Sequence, residues 1–438
     1  MAEAASHTTS YVRDKMLPQA EPPTLQKGAI KWMRDNLFSG WLNSILTIVS
    51  IYVIWAVVSD LFPWFANSIW RADSLTQCRE IRNATVGADA PAACFAVIVD
   101  RWQQLLFGFY PREFYWRPIL SLVVMLTALM PVLFPRLPRA ALLWSVSAPF
   151  VIFFLLWGGS VWFPLAAALG FVIGAVAWRL VSAASGALLG VLAAIILPII
   201  YWLYFAAPLA DGLAGSVPLG LEAVPSKQFG GFMLSVVIGI SGIVLSLPLG
   251  ILLALGRQSP LFIINKLSVG FIEIIRGVPL IVWLFTASLL LNYFLPPGTN
   301  FDLMLRVIIM VTLFASAYIA EVVRGGLAAL PKGQYEAADA LGLDYWKSMR
   351  LIILPQALKI AIPGIVNTFI GLFKDTTLVV FIGLLDPIGL TNAIRASTDW
   401  NGIYWELFLF IALMFFVFCF SMGRYSLYLE KKLRREHR

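Results

Sequence analysis

The chain has 438 residues, of which 60% are hydrophobic and only 13% charged. A soluble domain carries about 25% charged residues. Its 56 charged groups, 32 Lys and Arg against 24 Asp and Glu, are too few to coat a soluble protein of this size, so soluble enzymes, nucleic-acid binders and disordered scaffolds are excluded. The +8 balance calls for a membrane explanation.

Both histidines, His7 and His437, lie near chain ends, and Cys78, Cys94 and Cys419 form no C-x-x-C pair. No Gly-Lys dipeptide occurs, so no Walker A phosphate loop is present. The chain is therefore expected to bind no metal or cofactor, and no ATP by that route.

Residues 1–40 are polar, with Arg13, Lys15, Lys27, Lys31 and Arg34. The apolar run beginning near Trp41 is too late and too long for a signal peptide, and predicts a retained transmembrane helix. A bilayer core needs roughly 20 apolar residues per helix. Ten spans are expected, near 41–62, 118–134, 140–157, 161–181, 187–207, 231–256, 267–291, 303–323, 361–383 and 403–423. The division between the second and third rests on Pro131, Pro135 and Pro138. With the N-terminus inside, inner segments hold 21 of the 32 Lys and Arg, Arg136 and Arg139 included. Outer segments other than 63–117 hold only Lys227 and Arg395. This bias predicts cytoplasmic termini, and it brings Lys431, Lys432, Arg434 and Arg435 to anionic lipid.

The pairs Gly170/Gly174 and Gly186/Gly190 either bring helices close together or reflect Gly/Ala-rich composition. The outer loop 63–117 carries Cys78 and Cys94, which there can form a disulfide or remain two thiols.

Between spans eight and nine lies a polar segment, 331–355. Glu336 to Leu341 reads as a short helix with Ala337, Ala338 and Leu341 on one face. Gly342 suits a left-handed cap, and Asp344 caps a following helix from Tyr345 to Leu354. Pro355 and Pro363 are expected to bend the chain into span nine. A rigid, small-faced knob of this kind fits a groove on another protein, or lies on lipid as an amphipathic helix.

Charges within spans are costly. Glu273/Arg276 and Glu321/Arg324 sit at i,i+3 spacing, suited either to structural pairing or to a switchable network. Lys374 and Asp375, about twelve residues into span nine, supply the cation and anion that a zwitterionic amino acid requires, or form a structural pair. Asn367, Thr376 and Thr377 can add hydrogen bonds.

Glu336-Ala337-Ala338, then Gly342, then Ile352-x-Leu354-Pro355 resembles the EAA signature of ABC importer permeases. Gly-Gly-Phe at 230–232, Leu-Pro-Leu-Gly at 247–250, 271–280, 317–326 and Gly371-Leu-Phe-Lys-Asp-Thr-Thr-Leu378 resemble polar amino acid permeases. The long N-terminal half is similar to the M-type subunit of general L-amino acid importers. The resemblance implies an all-α polytopic fold, about ten transmembrane helices, whose last five form a type-1 (MetI-like) transmembrane domain. The expected layout is an N-tail 1–40, a five-span extension 41–226, the transmembrane domain 227–427 and a basic tail 428–438. It implies that Glu336, Ala337, Ala338, Ala340, Leu341 and Gly342 dock an ATPase, and that ATP and Mg are held by that partner. The implied partners are a second homologous permease, an ATPase homodimer and a periplasmic amino-acid-binding protein in the inner membrane of a bacterium. The implied cargo is a broad range of L-amino acids; glutamate, glutamine, aspartate and asparagine are the alternative. An ion-coupled secondary transporter is the rival of another class.

Overall fold

The computed structural model describes residues 28–134, 137–290, 293 and 302–435. Arg13, Lys15, Lys27, Pro135, Arg136, His7 and His437 lie outside them, as do the side chains of Arg434 and Arg435. The chain divides into two compact units.

The first unit comprises residues 1–69 and 79–94. Its described part holds α1 (Gly28–Asn36) and α2 (Trp41–Ala66). No residue of α2 is buried, as expected for a helix that is apolar all round and made to face lipid. The strand-like segment after it is tied down by Ala93 N–H to Trp64 O at 2.9 Å and Ile69 N–H to Ala93 O at 2.8 Å.

The second unit comprises residues 70–78 and 95–438. The helix α3 spans Leu75–Thr85 and α4 Ala96–Phe107. Two helical hairpins follow, α5 (Trp116–Leu133) with α6 (Leu142–Trp157) and α7 (Trp162–Ser185) with α8 (Ala187–Tyr204) and α9 (Ala206–Ser216). Polar side chains join the first hairpin, Ser145 donating to Ala128 O at 2.6 Å. In the second, a Cβ on Gly170 would stand 2.1 Å from the Trp202 indole nitrogen, so that glycine serves close packing. Gly186, in contrast, occupies the turn between α7 and α8. A short antiparallel pair, β1 (Gly159–Ser160) with β2 (Gly220–Leu221), staples the two ends of this hairpin.

The remainder is α10 (Gly231–Arg257), α11 (Phe262–Gly277), α12 (Leu280–Phe285), α13 (Leu303–Ala328), α14 (Lys332–Ala340), α15 (Tyr345–Ser348), α16 (Leu354–Asp375), α17 (Pro387–Arg395) and α18 (Trp405–Arg435). Residues from both halves share one core: Tyr110, Leu156 and Val224 pack with Phe229, Leu234 and Leu284. The segment 95–107, expected as loop, is helical and locks onto the far end of the chain. There Trp400 donates to Asp100 at 2.8 Å, and Arg101 lies 3.6 Å from Asp399. Cys78 and Cys94 are both disulfide-bonded, and Cys419 is a free thiol.

Eight helices among the described residues are long and apolar enough to cross a membrane, and two bent pairs raise this to ten if each is one span. Three spans differ from their expected form. The seventh is broken by 102° between α11 and α12. Val278, held extended at φ −121° and ψ 135° before Pro279, cannot continue α11. The fifth bends by 50° at Phe205. The ninth starts at Leu354 rather than 361, and its α-helix ends at Asp375, tightening to 3-10 geometry over Thr376–Ile382. Upstream, the expected helix over Tyr345–Leu354 gives way after four residues to a π turn, Met349–Ile353.

The packing of α13 on α16 has almost no slack. A Cβ on Gly326 would lie 2.5 Å from Ala357 O, whereas one on neighbouring Gly325 meets nothing within 4 Å. Gly326→Ala is expected to destabilise the purified protein by about 1–3 kcal/mol, and Gly325→Ala to stabilise it by up to about 1 kcal/mol. Thermal unfolding in detergent distinguishes the two, and equal melting temperatures would refute this packing.

Candidate functional site

The 331–355 segment forms a turn held by its own backbone bonds. Gly342, at φ +68°, ends α14. Its N–H bonds Asp339 O at 2.9 Å, and Leu343 N–H bonds Ala338 O at 3.2 Å, which is the paired pattern of a Schellman cap. Asp344 then caps α15 through Lys347 N–H at 2.9 Å and pairs with the Lys347 ammonium, also at 2.9 Å. These two interactions, the backbone N–H first, hold the Asp344 carboxyl below the usual aspartate range. On the inner side, Tyr335 donates to Leu327 O at 3.3 Å and Gln356 to Gln334 at 2.9 Å.

Glu336, Ala337, Ala340, Leu341 and Gly342 are exposed along this turn. Ala338 is not. It is fully buried and seats α14 against its own chain, so it does not share an outward face with Ala337 and Leu341. Alanine on both sides of a short helix hides which side faces inward.

At the same end of the bundle, Glu321 on α13 accepts three arginines. Arg257 at the end of α10 lies 2.7 Å away, Arg324 3.0 Å and Arg276 of α11 3.5 Å. The Arg276 guanidinium also sits over the Tyr318 ring, 5.5 Å from its centre. The expected pair Glu321/Arg324 forms. Glu273 and Arg276 do not pair with each other among the described residues; Glu273 bonds Arg257 at 2.9 Å. Sequence reasoning missed Arg257. Its position at the end of span six, on the side where Glu273 is expected by span parity, was the available signal.

The polar residues of α16 separate by direction. Asn367 and Lys374, two turns apart, are exposed on a face that includes Ile360. Lys374 makes no ion pair among the described residues. Asp375 and Thr377 are half-buried, and the Thr377 hydroxyl donates to Lys374 O at 2.9 Å. Thr376 points inward instead, buried with its hydroxyl on Phe373 O at 2.8 Å, because a residue two beyond Lys374 lies on the opposite side of the helix. Lys374 lies about 30 Å along α16 from Leu354 at 1.5 Å per residue, further into its helix than the twelve residues expected. An exposed lysine and asparagine in an apolar helix suit protein or water, not lipid chains.

Glu321 has a side chain 16% exposed and Glu273 one that is 55% exposed. Glu321→Gln leaves three guanidinium groups facing one another and is expected to cost about 3 kcal/mol. Glu273→Gln removes a solvated pair and should cost less than about 1 kcal/mol. Thermal unfolding at matched ionic strength measures both, and a Glu273→Gln loss as large as that of Glu321→Gln would show that Glu321 is not the hub.

Residues 246–435 match the family described as the binding-protein-dependent transport system inner membrane component. The chain is 56% identical over 98% of its length, and 99% of the relative's, to the glutamate/glutamine/aspartate/asparagine transport system permease protein BztC of Rhodobacter capsulatus. It is 40% identical over 92% of its length, and 93% of the relative's, to the inner membrane amino-acid ABC transporter permease protein YhdY of Escherichia coli. A solved amino acid ABC transporter with histidines is similar at 29% identity and a TM-score of 0.41, covering 46% of this chain and 91% of that one. The chain belongs to the amino-acid permeases of binding-protein-dependent ABC importers, as a multi-pass membrane subunit carrying their type-1 transmembrane domain.

Proposed function

We propose that this chain is one permease of an ATP-driven importer and that it carries glutamate, glutamine, aspartate and asparagine inward. The observation that carries the coupling part is the capped turn at Gly342, which presents Glu336, Ala337 and Ala340 outward. A separate ATPase dimer docks there, since this chain has no phosphate loop of its own. The Lys/Arg bias puts that turn and both termini in the cytoplasm. A second permease faces the polar side of α16, and a periplasmic binding protein delivers the amino acid to the outward-open form. ATP binding stabilises one of two arrangements, and the docked turns move the spans as rigid elements. Glu321 and its arginines hold α10, α11 and α13 together during that motion.

The substrate reading is supported by the full-length similarity to BztC. Lys374 supplies a cation for a substrate carboxylate, with Asn367 on the same face and Asp375 beside it for the ammonium.

Gly342→Val forces a β-branched residue into left-handed backbone, a strain of about 1–3 kcal/mol at the cap. Uptake by the reconstituted four-part system is expected to fall steeply while membrane insertion persists. Undiminished uptake would remove the docking role, and uptake that follows a proton or sodium gradient without ATP would favour an ion-coupled carrier.

Lys374→Gln should raise the KM for glutamate and aspartate more than for glutamine and asparagine. Competition against labelled glutamate reads the range of cargo. Inhibition by the four named amino acids alone is expected, whereas equal inhibition by leucine and lysine would establish the broad range instead.

A further inference from the structure

The short helix α1 buries none of its residues, yet its sequence is two-sided. Ile30, Met33 and Leu37 recur at i, i+3 and i+7 and line one face. Ile30 is 56% exposed and Met33 44%. Lys31 and Asp35, at i and i+4, fall on the opposite side, with Arg34 at the border between the two.

The turn after α1 fixes its depth. The Leu37 and Phe38 N–H groups both bond Met33 O, at 2.8 and 3.1 Å, and Leu37 O accepts the Thr47 hydroxyl at 2.7 Å. Thr47 lies about 9 Å along α2 from Trp41 at 1.5 Å per residue. The 26 residues of α2 span about 39 Å, against a hydrocarbon core of about 30 Å. Even with all of the excess at this end, Thr47 reaches the edge of the core, and Leu37 is held beside it. The chain thus folds back and brings α1 to the membrane boundary. Acyl chains meet the apolar face there, while the long stems of Lys31 and Arg34 carry their charges up to the headgroups. Lys31 and Arg34 make no ion pair among the described residues, and Asp35 is the one carboxylate on the helix. The surplus charge therefore favours an anionic surface. Trp32, also exposed, is a side chain suited to the interface. A helix of this length binds a membrane weakly as a free peptide. The short tether Leu37–Gly40 to α2 makes the contact intramolecular, so weak attraction suffices.

We propose that α1 is an interfacial helix that binds anionic phospholipid, with Ile30, Met33 and Leu37 in the acyl boundary and Lys31 and Arg34 on lipid phosphates. The test uses the full chain in nanodiscs. Cys78 and Cys94 are disulfide-bonded, so in a Cys419→Ser background a nitroxide attaches only at an introduced thiol. A label at Met33→Cys should be open to lipid-dissolved oxygen and closed to a water-soluble nickel chelate, and a label at Lys31→Cys the reverse. Adding phosphatidylglycerol to phosphatidylcholine should raise the seated fraction of the Met33→Cys label. Lys31→Gln and Arg34→Gln should each lower its ratio of seated to lifted helix about fivefold, with the melting temperature unchanged. Ile30→Glu should move the Met33→Cys label into water. A Met33→Cys label open to nickel in both lipids overturns the proposal. A label closed to both reagents assigns this face to a protein neighbour and overturns it as well. Seating that ignores phosphatidylglycerol and both charge variants overturns the anionic-lipid reading.

Discussion

A single carboxylate with three guanidinium partners organises one end of this bundle. Glu321 draws Arg257, Arg276 and Arg324 together from the ends of α10, α11 and α13. None of these charges is stable alone in an apolar setting, and each is tolerated because the others are there. The cluster sits at the last two turns of α13, which leads directly into the turn that carries Gly342. A change in the relative position of α11 and α13 must therefore break or exchange ion pairs, which makes the arrangement discrete rather than continuously deformable.

From that turn the chain runs without a loop into α16. A π turn over Met349–Ile353 joins α15 to α16. Irregular helical turns of this type mark places where a helix changes direction or register. The same helix carries Asn367 and Lys374 on its open face. One continuous element thus connects the exposed turn at Gly342 to the polar face of α16, while Gly326 against Ala357 O keeps it tight against α13.

Much of this was legible from residue order. The apolar runs marked the eight long apolar helices and the two bent pairs, the Gly342 cap followed from glycine after a short helix, and Asp344 capped as expected. What was hidden depended on packing. The i,i+3 spacing identified local neighbours correctly for Glu321/Arg324, but Glu273 chose Arg257 across helices, a contact no spacing rule reaches. Thr376, expected beside Asn367 as a hydrogen-bonding group, lies on the opposite side of the helix and is buried. Val278-Pro279 lay in plain view inside an apolar run, and hydropathy alone read through it.

The core shared by Tyr110, Leu156 and Val224 with Phe229, Leu234 and Leu284 has a consequence for biogenesis. Ribosomal synthesis is vectorial, so α4 to α6 emerge before α10 exists. Their contributions to that core lack the neighbours that α10 and α12 supply until the later helices are inserted. The first half must wait in lipid as a partly assembled intermediate, and its Tyr110 hydroxyl already has a local acceptor in Leu156 O, 2.8 Å away, to satisfy it during the delay.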